Sequence, residues 1–312
     1  MRLPFVFVLA TLALCLSSGL GRAQSSAAGP SPDDPTSRVE DFLRVAADGQ
    51  DAADIRALVS SNEALGQAGY TGQLPRFEEF LASNAVDVEE LAALGRLQRL
   101  AANGLVTGYD LCYQAVGDKS GCAKQGSIGY GLCVKTGGQL AACDPGGSLG
   151  YALCVQHGGT PQQCKTDGSV GYGLCVKGSG QTAGCNTRGS VGYAMCVART
   201  GSFKDCRVDG SLGYGMCAAR TGALTDCKNG SLGYGLCIQA GNQNTGCVAD
   251  ASVGYGICSG VLGQYTSCSP RGTLGYALCV KATGQTAGCS ETATQSDALC
   301  VLKNHSMMTC RP

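Results

Sequence analysis

What this chain lacks narrows its chemistry first. It has only two histidines, His157 and His305, in different slots of a repeat whose other copies carry Lys, Gly, Arg or Thr, so both read as surface substituents. No two cysteines form a Cys-x2-Cys pair, which removes the spacing needed by structural zinc, thioredoxin-type redox motifs and c-type haem attachment. Gly-x-Gly triplets such as Gly129-Tyr130-Gly131 belong to the repeat and lack the strand-to-helix setting of a nucleotide fingerprint. Carboxylates in the repeats fall at scattered slots, so no acid–base pair is built in. These absences predict a non-enzymatic protein without metal or cofactor. Beyond residue 16 no apolar run approaches the ~20 residues of a membrane span. Net charge is zero and aromatic residues do not interleave with the basic ones, which argues against nucleic acid as a partner.

What the chain has is a repeat. Cys, nine residues, Cys is written ten times. The first cysteines are Cys112, Cys133, Cys154, Cys175, Cys196, Cys217, Cys237, Cys258, Cys279 and Cys300. Their partners in the pattern are Cys122, Cys143, Cys164, Cys185, Cys206, Cys227, Cys247, Cys268, Cys289 and Cys310. The period is 21 residues with one unit of 20, which predicts a stacked solenoid rather than a single core. A typical unit reads Gly-Ser-Leu-Gly-Tyr-Ala-Leu-Cys-Val, as in residues 147–155. Tyr109, Tyr130, Tyr151, Tyr172, Tyr193, Tyr214, Tyr234, Tyr255 and Tyr276 hold one slot in nine units, as a buried ladder between units or as an exposed contact stripe. The outer units are degraded: the first carries Leu105-Val106-Thr107 before Gly108, and the last carries Gln295-Ser296-Asp297 where its siblings have Leu-Gly-Tyr. End units of a solenoid meet solvent and are atypical for that reason.

Upstream lie two different segments. Residues 1–23 read as a secretory signal peptide, with Arg2, an apolar run from Phe5 to Leu16, and small residues near a cut after Ala23. A lipoprotein reading through Cys15 is disfavoured because Leu14, before it, is not small. Residues 24–104 form an acidic head with 13 acidic and 6 basic side chains and neither Lys nor Cys. Residues 105–312 carry 10 acidic and 15 basic side chains. In the head, Ser37 with Glu40 suggests a capping box before Val39, Phe42, Leu43 and Ala46. Asp51 opens a second short helix through Ile55, Leu58 and Val59, and Pro75 a third with Phe77, Phe80 and Leu81. Asp87 caps what reads as the longest helix, with leucines at 91, 94, 97 and 100. The alternative is a propeptide, with Arg96 and Arg99 as processing marks.

An exported chain keeps its disulfides. Cysteines ten positions apart on one helix would sit ~15 Å apart, whereas a disulfide tolerates ~4.4–6.8 Å between Cα atoms. The chain therefore turns within each Cys-x9-Cys, and a Gly such as Gly201 lies midway. Pairing within each unit is expected; pairing Cys122 to Cys133 would strand Cys112 and Cys310. The spacing resembles the twin Cys-x9-Cys coiled-helix proteins only superficially, since a helix-stopping Gly interrupts it here. The predicted fold is mainly α: a small helical head, then ten stapled helix-hairpin repeats with two short helices per unit. A β-solenoid is the alternative, because Leu149, Tyr151, Leu153 and Val155 also alternate as a strand would. Stacked hairpins predict a rod of roughly 90 Å, and strands one of about 50 Å, with the acidic head at one end.

The expected role is structural or adhesive, in a wall, sheath, matrix or filament outside the cell or in the periplasm. The alternative is a carbohydrate-binding or surface-recognition module built on the tyrosine column and on Lys135, Lys177, Arg199, Arg220 and Lys281, which follow their first cysteines by two or three residues. Candidate partners are anionic polysaccharide or another copy of the chain. Asn229-Gly230-Ser231 and Asn304-His305-Ser306 are glycosylation sequons.

Overall fold

The computed structural model describes residues 35–47, 49–82, 86–137, 139–241, 243–304 and 310. The segment expected to be a signal peptide and His305 lie outside them. Every regular element among these residues is helical, so the β-solenoid alternative falls.

Four helices make the head: α1 (Pro35–Ala46), α2 (Gly49–Gln67), α3 (Phe77–Ala82) and α4 (Val88–Ala102). Helices α1 and α4 cross so closely that a Cβ on Gly95 would lie 1.7 Å from the Asp41 carbonyl oxygen. Beside that crossing the buried Asp41 carboxylate accepts from Arg99 Nε and Nη2 at 2.7 and 2.9 Å, and Arg96 lies 4.0 Å away. Phe42 meets Phe77 with ring centroids 5.7 Å apart, in a core that also holds Ile55, Leu58, Leu91 and Leu94. Asp87 caps α4 by accepting from Glu90 N at 3.1 Å. Two expectations shift. Helix α1 begins at Pro35, the position where a missing N–H costs nothing, so Ser37 lies inside it rather than at its cap. Helix α2 is the longest, at 19 residues, because no proline or turn signal interrupts it between Asp51 and Gly66.

Each repeat contributes one α-helix: α5 (Gly108–Val116), α6 (Ile128–Gly137), α7 (Leu149–Gln156), α8 (Val170–Ser179), α9 (Val191–Thr200), α10 (Leu212–Thr221), α11 (Leu232–Gln239), α12 (Val253–Leu262), α13 (Leu274–Thr283) and α14 (Gln295–Asn304). Ser148 shows the local logic, capping α7 by accepting from Tyr151 N at 3.0 Å. At the other end a glycine takes the left-handed conformation, as Gly201 does with φ 68°. The return limb is not a second α-helix. It is a hydrogen-bonded turn, tightened to 3-10 at Leu140–Ala142 and Leu224–Asp226. Thr160-Pro161 starts a helical turn, closed by Cys164 N donating to Thr160 O at 3.0 Å, and goes no further. Ten disulfides, each between the two cysteines of one unit with Cα atoms 5.6–6.1 Å apart, staple helix to return limb.

Units are locked to one another by backbone. Ser148 N donates to Thr166 O at 2.7 Å, in the segment that leads into the next unit, and Ser148 Oγ to Gly168 O at 2.6 Å, where that unit begins. The same bonds recur from Ser127 to Pro145 and Gly147, and from Ser190 to Val208 and Gly210. Where the unit is one residue short, the Asn229 side chain takes the place of that carbonyl and accepts from Ser211 N at 2.7 Å. The sequon asparagine is thus already engaged by the fold.

The head does not sit at one end. Helix α1 packs on α8 and α4 on α6, while Gln295 Nε2 in the last unit donates to Ser61 O at 3.1 Å. A head of this size spans about 30 Å, whereas ten helices 8–10 Å apart would run straight for roughly 90 Å. The solenoid therefore curves around the head, and the expected rod with a terminal head is corrected to a curved stack with an inner face that the head covers.

Candidate functional site

The tyrosine column lies between units. Tyr130, Tyr151, Tyr172, Tyr193, Tyr214, Tyr234, Tyr255 and Tyr276 are at most 2% exposed, and only Tyr109, in the end unit, is half-buried. Each of these buried phenols reaches back toward the preceding unit's staple. Tyr151 Oη accepts from Asp144 N at 3.1 Å and lies 3.5 Å from Cys133 Sγ; Tyr172 Oη accepts from Lys165 N at 3.2 Å and lies 3.5 Å from Cys154 Sγ. Burial pushes the phenols of Tyr151, Tyr172, Tyr193, Tyr234 and Tyr255 above the usual tyrosine range. Of the two readings of the column, the geometry gives the packing ladder, and the rings offer no face to a sugar. The last unit carries Asp297 in this slot, which accepts from Thr294 N at 2.8 Å and caps its own helix at the solvent-facing end.

The cationic residues do not share one edge, since offsets of two and three residues point about 100° apart on a helix. Arg199 and Arg220 are exposed. Lys281 Nζ donates to Gly72 O and Gln73 O of the head at 3.0 and 2.8 Å, and burial holds its ammonium below the ordinary lysine value. It borders an open cleft of about 750 Å³ between the segment Thr71–Arg76 and Leu236, Ile257 and Gly260.

The most concentrated polar chemistry lies where Lys177 meets the head. Glu90, on the first turn of α4, is 5% exposed. Its Oε1 accepts from Gln156 Nε2 at 2.7 Å and lies 2.8 Å from His157 Nε2, and its Oε2 accepts from Lys177 Nζ at 2.7 Å. Asp87 adds a contact to Lys177 at 3.7 Å. Burial opposes the charge on Glu90, but the hydrogen bonds and charges of His157 and Lys177 outweigh it and hold the carboxyl below the usual glutamate value. A second carboxylate, Asp51, accepts from Leu212 N at 3.2 Å at the start of α10, where the helix dipole favours it. Sequence reasoning missed this cluster. His157 read as a surface substituent because its slot differs from unit to unit, yet its ring lies against Glu90.

Other strings carry no chemistry. Gly146–Gly150 spells Gly-x-Ser-x-Gly, but its Ser148 is the helix cap, with its hydroxyl occupied on both sides. Arg96 and Arg99 face Asp41. Among the described residues no three His, Cys, Asp or Glu side chains are grouped to hold a metal ion, and no helix is long and apolar enough to cross a membrane. No family model, curated protein or solved structure matches the chain.

Proposed function

We propose that this chain is an exported, non-enzymatic structural protein of a wall, sheath or matrix. One observation carries the reading. All ten units are closed by their own disulfide. Seven of these bonds have the next unit's phenol within 3.7 Å of a sulfur, so the repeated chemistry serves to hold units together. Such staples form and persist in an oxidising compartment. Partners of this kind of surface are a second copy of the chain or an anionic polysaccharide meeting exposed cations such as Arg199 and Arg220. Recognition through the tyrosines finds no support, since the rings are inside.

Fractionation of source cells tests the proposal. An antibody to residues 105–312 is expected to find the protein in the extracellular or wall fraction with its thiols blocked as disulfides. A cytosolic pool with free thiols would overturn it.

A further inference from the structure

We infer that Gln156, His157 and Lys177 form a carboxylate seat on the repeats, filled by Glu90 of the same chain and equally open to Glu90 of a second copy, so that copies associate by exchanging heads. The inference rests on the structural reading above and names the joint that would link copies.

Three observations carry it. The first is the seat itself. Donors from two successive units converge on both oxygens of one buried carboxylate: Gln156 and His157 from unit 3 and Lys177 from unit 4. A buried charge that loses its partner is costly, so an emptied seat favours capture of another carboxylate. The second is the nature of the joint. The head has no cysteine, so none of the ten disulfides ties it to the repeats. The polar contacts across the interface are ion pairs and hydrogen bonds: Glu90 in its seat, Asp51 on Leu212 N, Lys281 on two carbonyls and Gln295 on a third. The third is the connection. Only residues 103–107 join α4 to α5; Leu105 within them is 69% exposed, Val106 is buried, and the amides of residues 103–105 bond back to carbonyls of α4. A head joined to the repeats by one short connection and by no disulfide is an element that identical chains exchange at low cost. The second copy is the favoured occupant because its head is the one ligand whose fit to the whole inner face is visible; an acidic polysaccharide would match the seat alone.

Charge reversal tests this in the full chain. Glu90→Lys places an ammonium against Lys177, and Lys177→Glu places a carboxylate against Glu90 and Asp87. Each variant is expected to lose roughly a hundredfold in head docking, seen as faster hydrogen exchange at the Leu212 amide, which donates to Asp51 of the docked head. Each alone is expected to stay monomeric by size exclusion with light scattering, because neither head fits the seat of its own variant. Mixed in equal amounts, the two variants complement each other. The altered head of the Glu90→Lys chain fits the altered seat of the Lys177→Glu chain, and the unaltered head of the latter fits the unaltered seat of the former. A mixed dimer is therefore expected to dominate. Intact mass with all repeat cysteines paired certifies folding of both. A mixture that stays monomeric overturns exchange, as does a Leu212 amide that remains protected in either variant. Gain of binding to polygalacturonate by Glu90→Lys, with no mixed dimer, overturns it in favour of a polysaccharide seat. None of these failures touches the extracellular reading, which fractionation tests separately.

Discussion

Replacing Gly150 by alanine tests how one unit is joined to the next. The added methyl would lie 1.8 Å from Ser169 O and 2.3 Å from Gly168 O in the following unit. Both are backbone atoms that cannot swing away, so units 3 and 4 must part by roughly 1.5 Å to approach ordinary contact at ~3.5 Å. That displacement strains two bonds at the joint, from Ser148 N to Thr166 O on the segment leading into unit 4 and from Ser148 Oγ to Gly168 O at its start. Overpacking costs about 1–3 kcal/mol and each bond about 1 kcal/mol, for a total of roughly 3–5 kcal/mol. Gly201→Ala is the control. It sits at φ +68° with no atom within 4 Å of the added carbon, so its cost is the left-handed penalty of about 1–2 kcal/mol. Hydrogen exchange of the oxidised protein is the assay, because nearest-neighbour coupling confines the damage. The Ser148 amide should lose protection while the Ser190 amide, bonded to Val208, keeps it. Equal costs for the two substitutions would refute the account of glycine as a contact residue between units.

Three further outcomes follow from the same geometry. Removing one staple, Cys154→Ala with Cys164→Ala, is expected to cost about 3 kcal/mol for a loop of ~11 residues, and full reduction should melt the repeats while the cysteine-free head stays helical by circular dichroism; an unchanged spectrum contradicts this. Tyr172→Phe leaves the Lys165 N–H without its acceptor and should lower stability by about 1–3 kcal/mol in a thermal melt, so a neutral result would show the phenol to be idle. Acid should loosen the head: the Glu90 carboxyl is held below its ordinary value, so its contribution is complete above the usual glutamate pKa and is lost as pH falls through the lowered one. Equal protection of the Leu212 amide, which donates to Asp51 of the head, at pH 7 and near pH 3 after correction for intrinsic exchange rates would contradict that.

The helical repeat was legible but not compelled by its local letters. Ser148 as cap and a glycine at the far end bracket a helix, yet Gly129 and Gly131 within one turn of α6 argue for a strand. Tertiary contact overrides that propensity. A Cβ on Gly129 would lie 2.1 Å from Ser148 O, and one on Gly131 2.6 Å from Gly108 O, so both glycines admit neighbouring backbone. The second helix of each hairpin was over-read. In unit 3 the limb turns once at Thr160 and is then held by the staple at Cys164, and the cap of the next helix at Ser169 follows directly. The seat was illegible for a different reason. Glu90 meets Gln156, His157 and Lys177 across 66, 67 and 87 residues, and no periodicity in either segment encodes that meeting.

Departures from the repeat divide into two kinds by where their side chains bond. Asn229 marks a missing residue, and its amide oxygen accepts from Ser211 N within the solenoid, where a backbone carbonyl stands in other units. That departure repairs the stack. His157 and Gln295 sit in slots that differ between units, while Lys177 and Lys281 share one slot with Lys135; all four bond to Glu90, Gly72, Gln73 or Ser61, in the head. Those side chains serve the head rather than the stack. Reversing their order in the chain would leave every staple and every tyrosine contact intact while destroying the fit to the head. The placement of the head on the repeats thus draws on both layers: variable side chains such as His157 and Gln295, and the periodic frame itself, whose Leu212 N–H meets Asp51 and whose recurring Lys slot supplies Lys177 and Lys281.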